Sequence, residues 1–218
     1  MKILILGSTG RTGKLLLSEA INAGYDIHVL VRNKSRLPVL PVTVTVFEGT
    51  PANSDELLSA MKGCGAILSA LNISRTSDFP WAPLRTPPDF LSVSTDNILA
   101  ATCSLNIKRI IVTSAWGTNE TKKDIPFWFR WLIDYSNIGY AYRDHERAED
   151  LLKQSGLNYT IVRPVGLTNS LNKKEILVSI NNSPKPYLTI SRQNVARFMI
   201  KVLKENLCNN ESPVISDQ

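Results

Sequence analysis

Seven residues, Gly7-Ser8-Thr9-Gly10-Arg11-Thr12-Gly13, constrain this chain more than any other segment. They follow directly on the apolar run Lys2-Ile3-Leu4-Ile5-Leu6 and open a stretch with helical periodicity, so the three glycines fall at a strand-to-helix turn. In that context the G-x-x-G-x-x-G spacing has a mechanical meaning. The first glycine permits the tight turn, the second lets backbone approach a pyrophosphate, and the third removes a side chain where helix meets sheet. The start of the helix then offers free N–H groups to the anion. The motif predicts an open α/β sheet that binds a dinucleotide.

The rest of the chain has the rhythm such a sheet requires. After a strand at 2–6 and a helix at 12–23, short β-branched runs at 27–31, 42–47, 66–70, 109–113 and 159–162 read as further strands. Helical periodicity fills 54–62, 92–105 and 142–155. Ile110-Ile111-Val112 is apolar on consecutive residues, as a strand covered on both faces must be. The predicted fold is a doubly wound parallel sheet of the Rossmann type, three layers deep in the order α-β-α. Beyond Arg163-Pro164 the pattern loosens into short runs at 175–180 and 187–190, a last helix at 194–204 and a short strand at 213–216. Two irregular stretches, 72–89 and 116–141, each follow a strand at its C-terminal end, the edge where open α/β sheets bind ligands.

A length of 218 residues suits one domain spanning 1–218, with residues from about 164 onward helping to wall a substrate cleft. The 43% hydrophobic and 20% charged fractions are those of a soluble globular chain. No apolar run approaches the roughly 20 residues of a membrane span. The first one is cut off by Gly7, so neither membrane insertion nor a signal peptide is expected, and the expected location is cytoplasmic. Cys64, Cys103 and Cys208 are odd in number and far apart, and neither a disulfide framework nor a metal site is expected. The net charge of +6 is scattered, with Lys122-Lys123 and Lys173-Lys174 as the basic pairs, so no nucleic-acid partner is expected.

The end of the second strand selects the coenzyme. NAD-binding sheets place Asp or Glu there for the ribose 2′-hydroxyl, whereas a 2′-phosphate calls for arginine. Here the position is Arg32, followed by Lys34 and Arg36, and Arg11 within the glycine turn is expected to approach the same adenosine end. NADP(H) is therefore expected in preference to NAD(H).

With these residues in hand, the chain resembles the short-chain dehydrogenase/reductase superfamily, in particular its atypical NAD(P)H-binding branch of NmrA-like proteins and biliverdin-IXβ/flavin reductases. The resemblance rests on the glycine turn, Val31-Arg32 with Arg36, Val112-Thr113-Ser114-Ala115, Asp144-His145-Glu146-Arg147-Ala148-Glu149, residues 155–164, and Ile190-Ser191-Arg192 with Val195-Ala196. It implies a cofactor site of Gly7, Thr9, Gly10, Arg11, Thr12, Gly13, Arg32, Arg36, Ala70, Leu71, Ser114, His145 and Pro164. One departure matters. The superfamily's usual Tyr-x-x-x-Lys pair is missing: no tyrosine here has lysine four residues later, and the two places hold Ala141 and His145. That removes the standard proton relay and, with it, ordinary alcohol dehydrogenation by that dyad.

The resemblance then implies that Ser114 and His145 carry the chemistry. Ser114 would donate a hydrogen bond to the acceptor, and His145 would hold the ribose or relay a proton if its pKa lies near neutrality. His28, in the second strand, reads as structural. Aromatic residues crowd both irregular stretches, and a planar acceptor stacks well on such rings. Trp81, Trp116 and Arg85 are the expected substrate contacts, the loop 78–88 folding over the cofactor. Phe127, Trp128, Trp131 and Tyr135, about a turn apart, instead suit a helix packed on the body or a dimer contact. The expected function is an NADPH-dependent oxidoreductase passing hydride to a small conjugated acceptor, the protein being a monomer or homodimer. The alternatives are a redox sensor of the NmrA type that holds NAD(P) without turnover, and an epimerase/dehydratase-like enzyme.

Overall fold

The computed structural model describes residues Met1 to Gln218. Its first half alternates strands and helices: β1 (Lys2–Leu6), α1 (Arg11–Asn22), β2 (Asp26–Val31), β3 (Val44–Glu48), α2 (Ser54–Met61), β4 (Ala66–Ser69), α3 (Phe90–Leu105) and β5 (Arg109–Thr113). The second half holds α4 (Phe127–Tyr135), α5 (Ile138–Gln154), β6 (Asn158–Pro164), β7 (Gly166–Thr168), β8 (Ile176–Ser179), β9 (Thr189–Ser191), α6 (Arg192–Glu205) and β10 (Val214–Asp217). Eight strands form one sheet in the order β3-β2-β1-β4-β5-β6-β10-β8, and β7 pairs with β9 beside it. The pairing is parallel except for β8, which runs antiparallel to β10. This is the doubly wound Rossmann architecture that the sequence pattern calls for.

The central strands have two buried faces because their residues alternate between two cores. Ile3 and Ile5 of β1 join Leu16, Ala20, Val195 and Met199 under α1 and α6. Leu4 and Leu6 point the other way, to Leu57, Met61, Ile98 and Leu152 of α2, α3 and α5. All four β1 residues are fully inaccessible, which explains an apolar run without polar alternation. Burying one such side chain stabilises the fold by about 1.5–3 kcal/mol.

Most expected elements lie within two residues of their predicted ends, and the displaced ends have local causes. Strand β3 begins at Val44 and not at Val42, whose side chain is fully exposed next to Pro41. Helix α5 begins at Ile138, a turn before Tyr142, because the Ser136 hydroxyl accepts the Ile138 N–H and supplies a start signal there. The strand expected at 213–216 is β10, parallel to β6. No helix is long and apolar enough to cross a membrane.

Strand order reverses at β1, which lies between β2 and β4. The C-terminal ends of β1, β4, β5 and β6 therefore open onto one crevice. Three stretches meet there: the glycine turn, residues 70–89 and residues 114–137.

Candidate functional site

The glycine turn is shaped by backbone contact. Gly7 has φ +79°, and a Cβ on it would stand 2.6 Å from the Ala70 carbonyl oxygen. A Cβ on Gly13 would lie 1.9 Å from the Gly7 carbonyl oxygen, so the third glycine packs on the turn itself and not on the sheet as expected. Gly10 caps α1 without a side-chain hydrogen bond, which leaves the first N–H groups of the helix facing outward. Ser8 is fully buried and its hydroxyl has no partner. An uncapped helix start, a turn stripped of side chains and an orphaned hydroxyl together fit a dinucleotide diphosphate, with Thr9 and Thr12 on either side of Gly10.

A cavity of about 560 Å³ is lined by Arg32, Gly49, Thr50 and Phe90, together with Glu48 and Glu56. It lies beyond the ends of β2 and β3, the place of an adenosine. Arg36 lines a neighbouring hollow with Ser8 and Lys14. Arg32 and Arg36 are both exposed and make no side-chain ion pair or hydrogen bond. Arg11 departs from expectation: it lines the cleft on the other side of the turn, where Asp78 takes both its terminal nitrogens at 2.9 and 2.7 Å. A bidentate carboxylate outcompetes a more distant adenosine end for that guanidinium.

That cleft, of about 520 Å³, brings together Ser114, Trp116, Ala141, His145 and Pro164. Ser114 is placed by β-pairing that continues past the strand end, its N–H donating to the Val162 carbonyl at 2.7 Å. Ala141 and His145 lie one turn apart on α5 and share its inner face. Leu71 and Ser69 line a pore of about 20 Å³ beneath Ser114 and His145, large enough for one water molecule.

Under the cleft runs a buried polar network that the sequence reading left without a role. Ser114 donates its hydroxyl hydrogen to Glu149 Oε1 at 2.6 Å. Thr118 and Arg163 Nε donate to the same oxygen, and Asn119 and Arg163 Nη2 donate to Oε2. Arg163 also pairs with Glu120. Burial works to raise the Glu149 carboxyl, but Arg163, with Ser114 and Asn119, outweighs it and holds the group at about 2. A carboxylate so firmly ionised accepts hydrogen bonds only, so the Ser114 hydrogen is committed downward and its lone pairs face the cleft. Ser114 thus meets a ligand as an acceptor, opposite to the expected donor role.

His145 is 6% exposed, and burial pushes it down to about 4 against the pull of Glu149 and Asp144. The condition for proton relay, a pKa near neutrality, is not met: at pH 7 the ring is a neutral imidazole. Next to it Asp144 accepts the Leu91 and Ser92 N–H groups and caps α3 from outside. Tyr142 donates to the Trp116 carbonyl at 3.2 Å, and burial raises its phenol further above the ordinary value. His28 Nδ1 lies 2.7 Å from the Ala60 carbonyl oxygen, inside the sheet and remote from this cleft.

The loop expected to fold over the cofactor does reach the glycine turn, through residues other than those expected. Asp78 makes the contact, and Arg75 lines the cleft behind it. Arg85 turns back onto the Thr76 carbonyl at 3.2 Å and is exposed away from the cleft. Trp81 is 44% exposed, donates to the Tyr135 carbonyl at 2.9 Å and packs edge-on against Trp131 at 6.3 Å. Of the three expected substrate contacts, only Trp116 lines the cleft. Asn137 ties the roof further, its N–H donating to the Pro80 carbonyl and its side-chain amide to Trp81 and Ala82. The helix expected at Phe127 to Tyr135 is α4, but its aromatic face is open to solvent: Phe127 is 83% exposed, Trp128 and Trp131 53% each, and Tyr135 67%.

Arg11, Arg75 and Arg192 all line the cleft, and Asp78 is its one carboxylate. Arg11 first, then Arg192 and Arg75 against a small effect of burial, hold the Asp78 carboxyl below its ordinary value. Burial, then the charge of Arg11, pushes Arg192 below its own. Arg75, Asp78, Glu149 and Arg163 were given no site role in the sequence reading because nothing local pairs them. Their partners lie far along the chain; Arg11 and Asp78 are 67 residues apart.

A family model described as NAD(P)H-binding matches residues 7–206. Among curated proteins, the uncharacterized sugar epimerase YhfK of Bacillus subtilis is 27% identical over 218 residues, 97% of this chain and 92% of that one. Among solved structures, a short-chain dehydrogenase/reductase of Veillonella parvula in complex with NADP superposes with TM-score 0.82 at 22% identity, over 99% of this chain and 94% of that one. ChuY of Escherichia coli O157:H7, an anaerobilin reductase, gives the same TM-score at 18% identity over 100% and 97% of the two chains.

Proposed function

Because this chain belongs to the NAD(P)H-binding family, we propose that it is an oxidoreductase that uses NADPH in preference to NADH and reduces a small conjugated acceptor such as a flavin, a quinone or a linear tetrapyrrole. A bound reduced nicotinamide supplies hydride. The residues of the chain orient that ring and its acceptor and keep water away from them. The glycine turn and Ser8 hold the diphosphate, and the unpaired Arg32 and Arg36 take the 2′-phosphate.

The observation that carries this reading is the trio Ser114, Ala141 and His145. Ser114 gives its hydrogen to Glu149, Ala141 has no hydroxyl, and burial keeps the His145 ring uncharged at pH 7. None of the three is poised to protonate an alkoxide at pH 7, as reduction of an isolated ketone requires, and the Tyr142 hydroxyl, which also lines the cleft, donates to the Trp116 carbonyl. A conjugated acceptor spreads the incoming electron pair over its own ring system and takes its proton later from water. Trp116, Phe129 and Tyr142 give such an acceptor a largely apolar wall. The NADP complex of the Veillonella protein and the reductase activity named for ChuY support the reading. An epimerase reading, suggested by the name of YhfK, lacks a tyrosine hydroxyl at Ala141 to take the proton from a sugar alcohol. A sensor reading keeps one observation in its favour, the exposed aromatic face of α4, which suits a protein partner.

The test is steady-state NADPH oxidation against FMN, FAD, riboflavin, quinones and linear tetrapyrroles, with Ser114→Ala and His145→Ala alongside. Turnover is expected with at least one of these, falling about tenfold in Ser114→Ala, the worth of one well-placed hydrogen bond. Tight NADPH binding with no turnover on any acceptor replaces the enzyme with the sensor. In the same assays Arg32→Ala narrows the gap between NADPH and NADH; equal affinities in the intact protein refute the NADP preference.

A further inference from the structure

The cleft has a charged end as well as an apolar one. Arg11, Arg75 and Arg192 face it with Asp78 as the single acid, and the neutral His145 adds no charge, so the lining carries a surplus of two positive charges. Neither Arg75 nor Arg192 has a carboxylate within 4 Å. Each uses one terminal nitrogen to brace itself: Arg75 Nη1 on the Phe79 and Pro80 carbonyls at 3.1 and 3.0 Å, Arg192 Nη1 on Asn169 Oδ1 at 2.6 Å. The remaining N–H groups of both guanidiniums have no partner in the protein. They are cations fixed in place with donors to spare.

Asp78 explains how such a cluster stays intact in the free protein. Its side chain is 78% exposed, yet both its oxygens are held by Arg11, which is itself 58% exposed. An exposed pair of this kind contributes little and exchanges readily with competing ions. The carboxylate occupies the position that an incoming anion would take, with its partner already oriented for bidentate contact.

We infer that the acceptor carries an acidic group, a carboxylate or phosphate, which docks on Arg75 and Arg192 at the rim and displaces Asp78 from Arg11 while the flat body of the molecule lies against Trp116. This rests on the reductase reading for what the acceptor is, but not for where its charge sits. It moves the substrate contact expected at Arg85 to the two arginines that face the cleft.

FMN and riboflavin test it, since they share a ring system and differ in one phosphate. Binding of each to the NADP⁺-saturated protein is measured by calorimetry, in the intact chain, in the double variant Arg75→Gln/Arg192→Gln and in Asp78→Asn. Tenfold or tighter binding of FMN is expected in the intact chain. The double variant should bring FMN to the riboflavin value, and Asp78→Asn should tighten FMN severalfold because the internal competitor is gone. Since Asp78 is a solvent-exposed loop residue, that gain of affinity does not depend on a damaged fold. Equal affinities in the intact chain overturn the inference, as does a preference for FMN that survives the double variant. Riboflavin reduced as efficiently as FMN leaves the reductase reading standing and removes the inference. An arginine-dependent preference without NADPH oxidation does the reverse. Binding of neither flavin overturns the inference and leaves the reductase reading to the quinones and tetrapyrroles.

Discussion

Two carboxylate–guanidinium pairs frame the cleft, and they behave in opposite ways. Glu149 and Arg163, under the floor, are each 1% exposed, and both oxygens of the carboxylate are shared among four donor residues. Arg11 and Asp78, on the rim, are 58% and 78% exposed and hold only each other. Removing one partner of a buried pair strands a charge in a poorly solvated place, whereas an exposed pair trades its partner for water or another ion at little cost. The floor is therefore a fixed surface that orients Ser114, and the rim is an exchangeable one. A binding cleft needs both: the reacting end must not shift, and the recognising end must let go of its own side chain when the ligand arrives.

The largest effect expected from this contrast comes from the floor. Glu149→Gln leaves Arg163 with the half-exposed Glu120 alone, and the loss of stability should be about 3 kcal/mol or more. Urea denaturation reads it as a lower midpoint with unchanged slope; a midpoint within error of the parent chain would show that the network is ornamental.

Acidity gives the next effect. The folded-state value of His145, about 4, lies below its ordinary 6.5, so between those pH values the unfolded chain binds a proton that the fold refuses. Stability therefore falls as pH drops from about 6.5 to about 4, by ~3 kcal/mol at full extent. Below that, Glu149 loses its contribution as pH falls from its ordinary 4.5 through about 2. Urea midpoints at a series of pH values from neutral to mildly acidic check the first step. His145→Asn should flatten it, and an unchanged profile in that variant would assign the acid sensitivity elsewhere.

The smallest effect belongs to the rim. Asp78→Asn should change stability by less than ~1 kcal/mol, the ordinary worth of an exposed pair. Its melting temperature should match the parent within a few degrees in dilute and in concentrated salt, whereas a clear loss at low salt would make the rim as structural as the floor.

The two pairs also mark how far the sequence could be read. The sheet was legible because its signals are local: Lys2–Leu6 and Arg109–Thr113 appear with the expected limits, and the glycine turn stands where its spacing places it. Ser114 and His145 were singled out by the family resemblance and Trp116 as an aromatic residue of an irregular stretch, and all three line one cleft. The direction of the Ser114 hydrogen bond was not legible, since it depends on Glu149, and the firm ionisation of Glu149 depends on Arg163 in another strand. Arg85 and Trp81 were chosen for their side-chain chemistry within the loop, without knowledge of which way each side chain faces. Within that loop, the backbone bridge between Arg75 and Leu84 decides which side chains face inward, and it favours Arg75 over Arg85.

The roof has a mechanical consequence. Trp81, Ala82 and Pro80 are tied through their own backbone and indole groups to Tyr135 and Asn137, at the end of α4 and the start of α5. The two irregular stretches are riveted into one plate. A shift of either stretch would therefore have to carry the other with it or break these bonds.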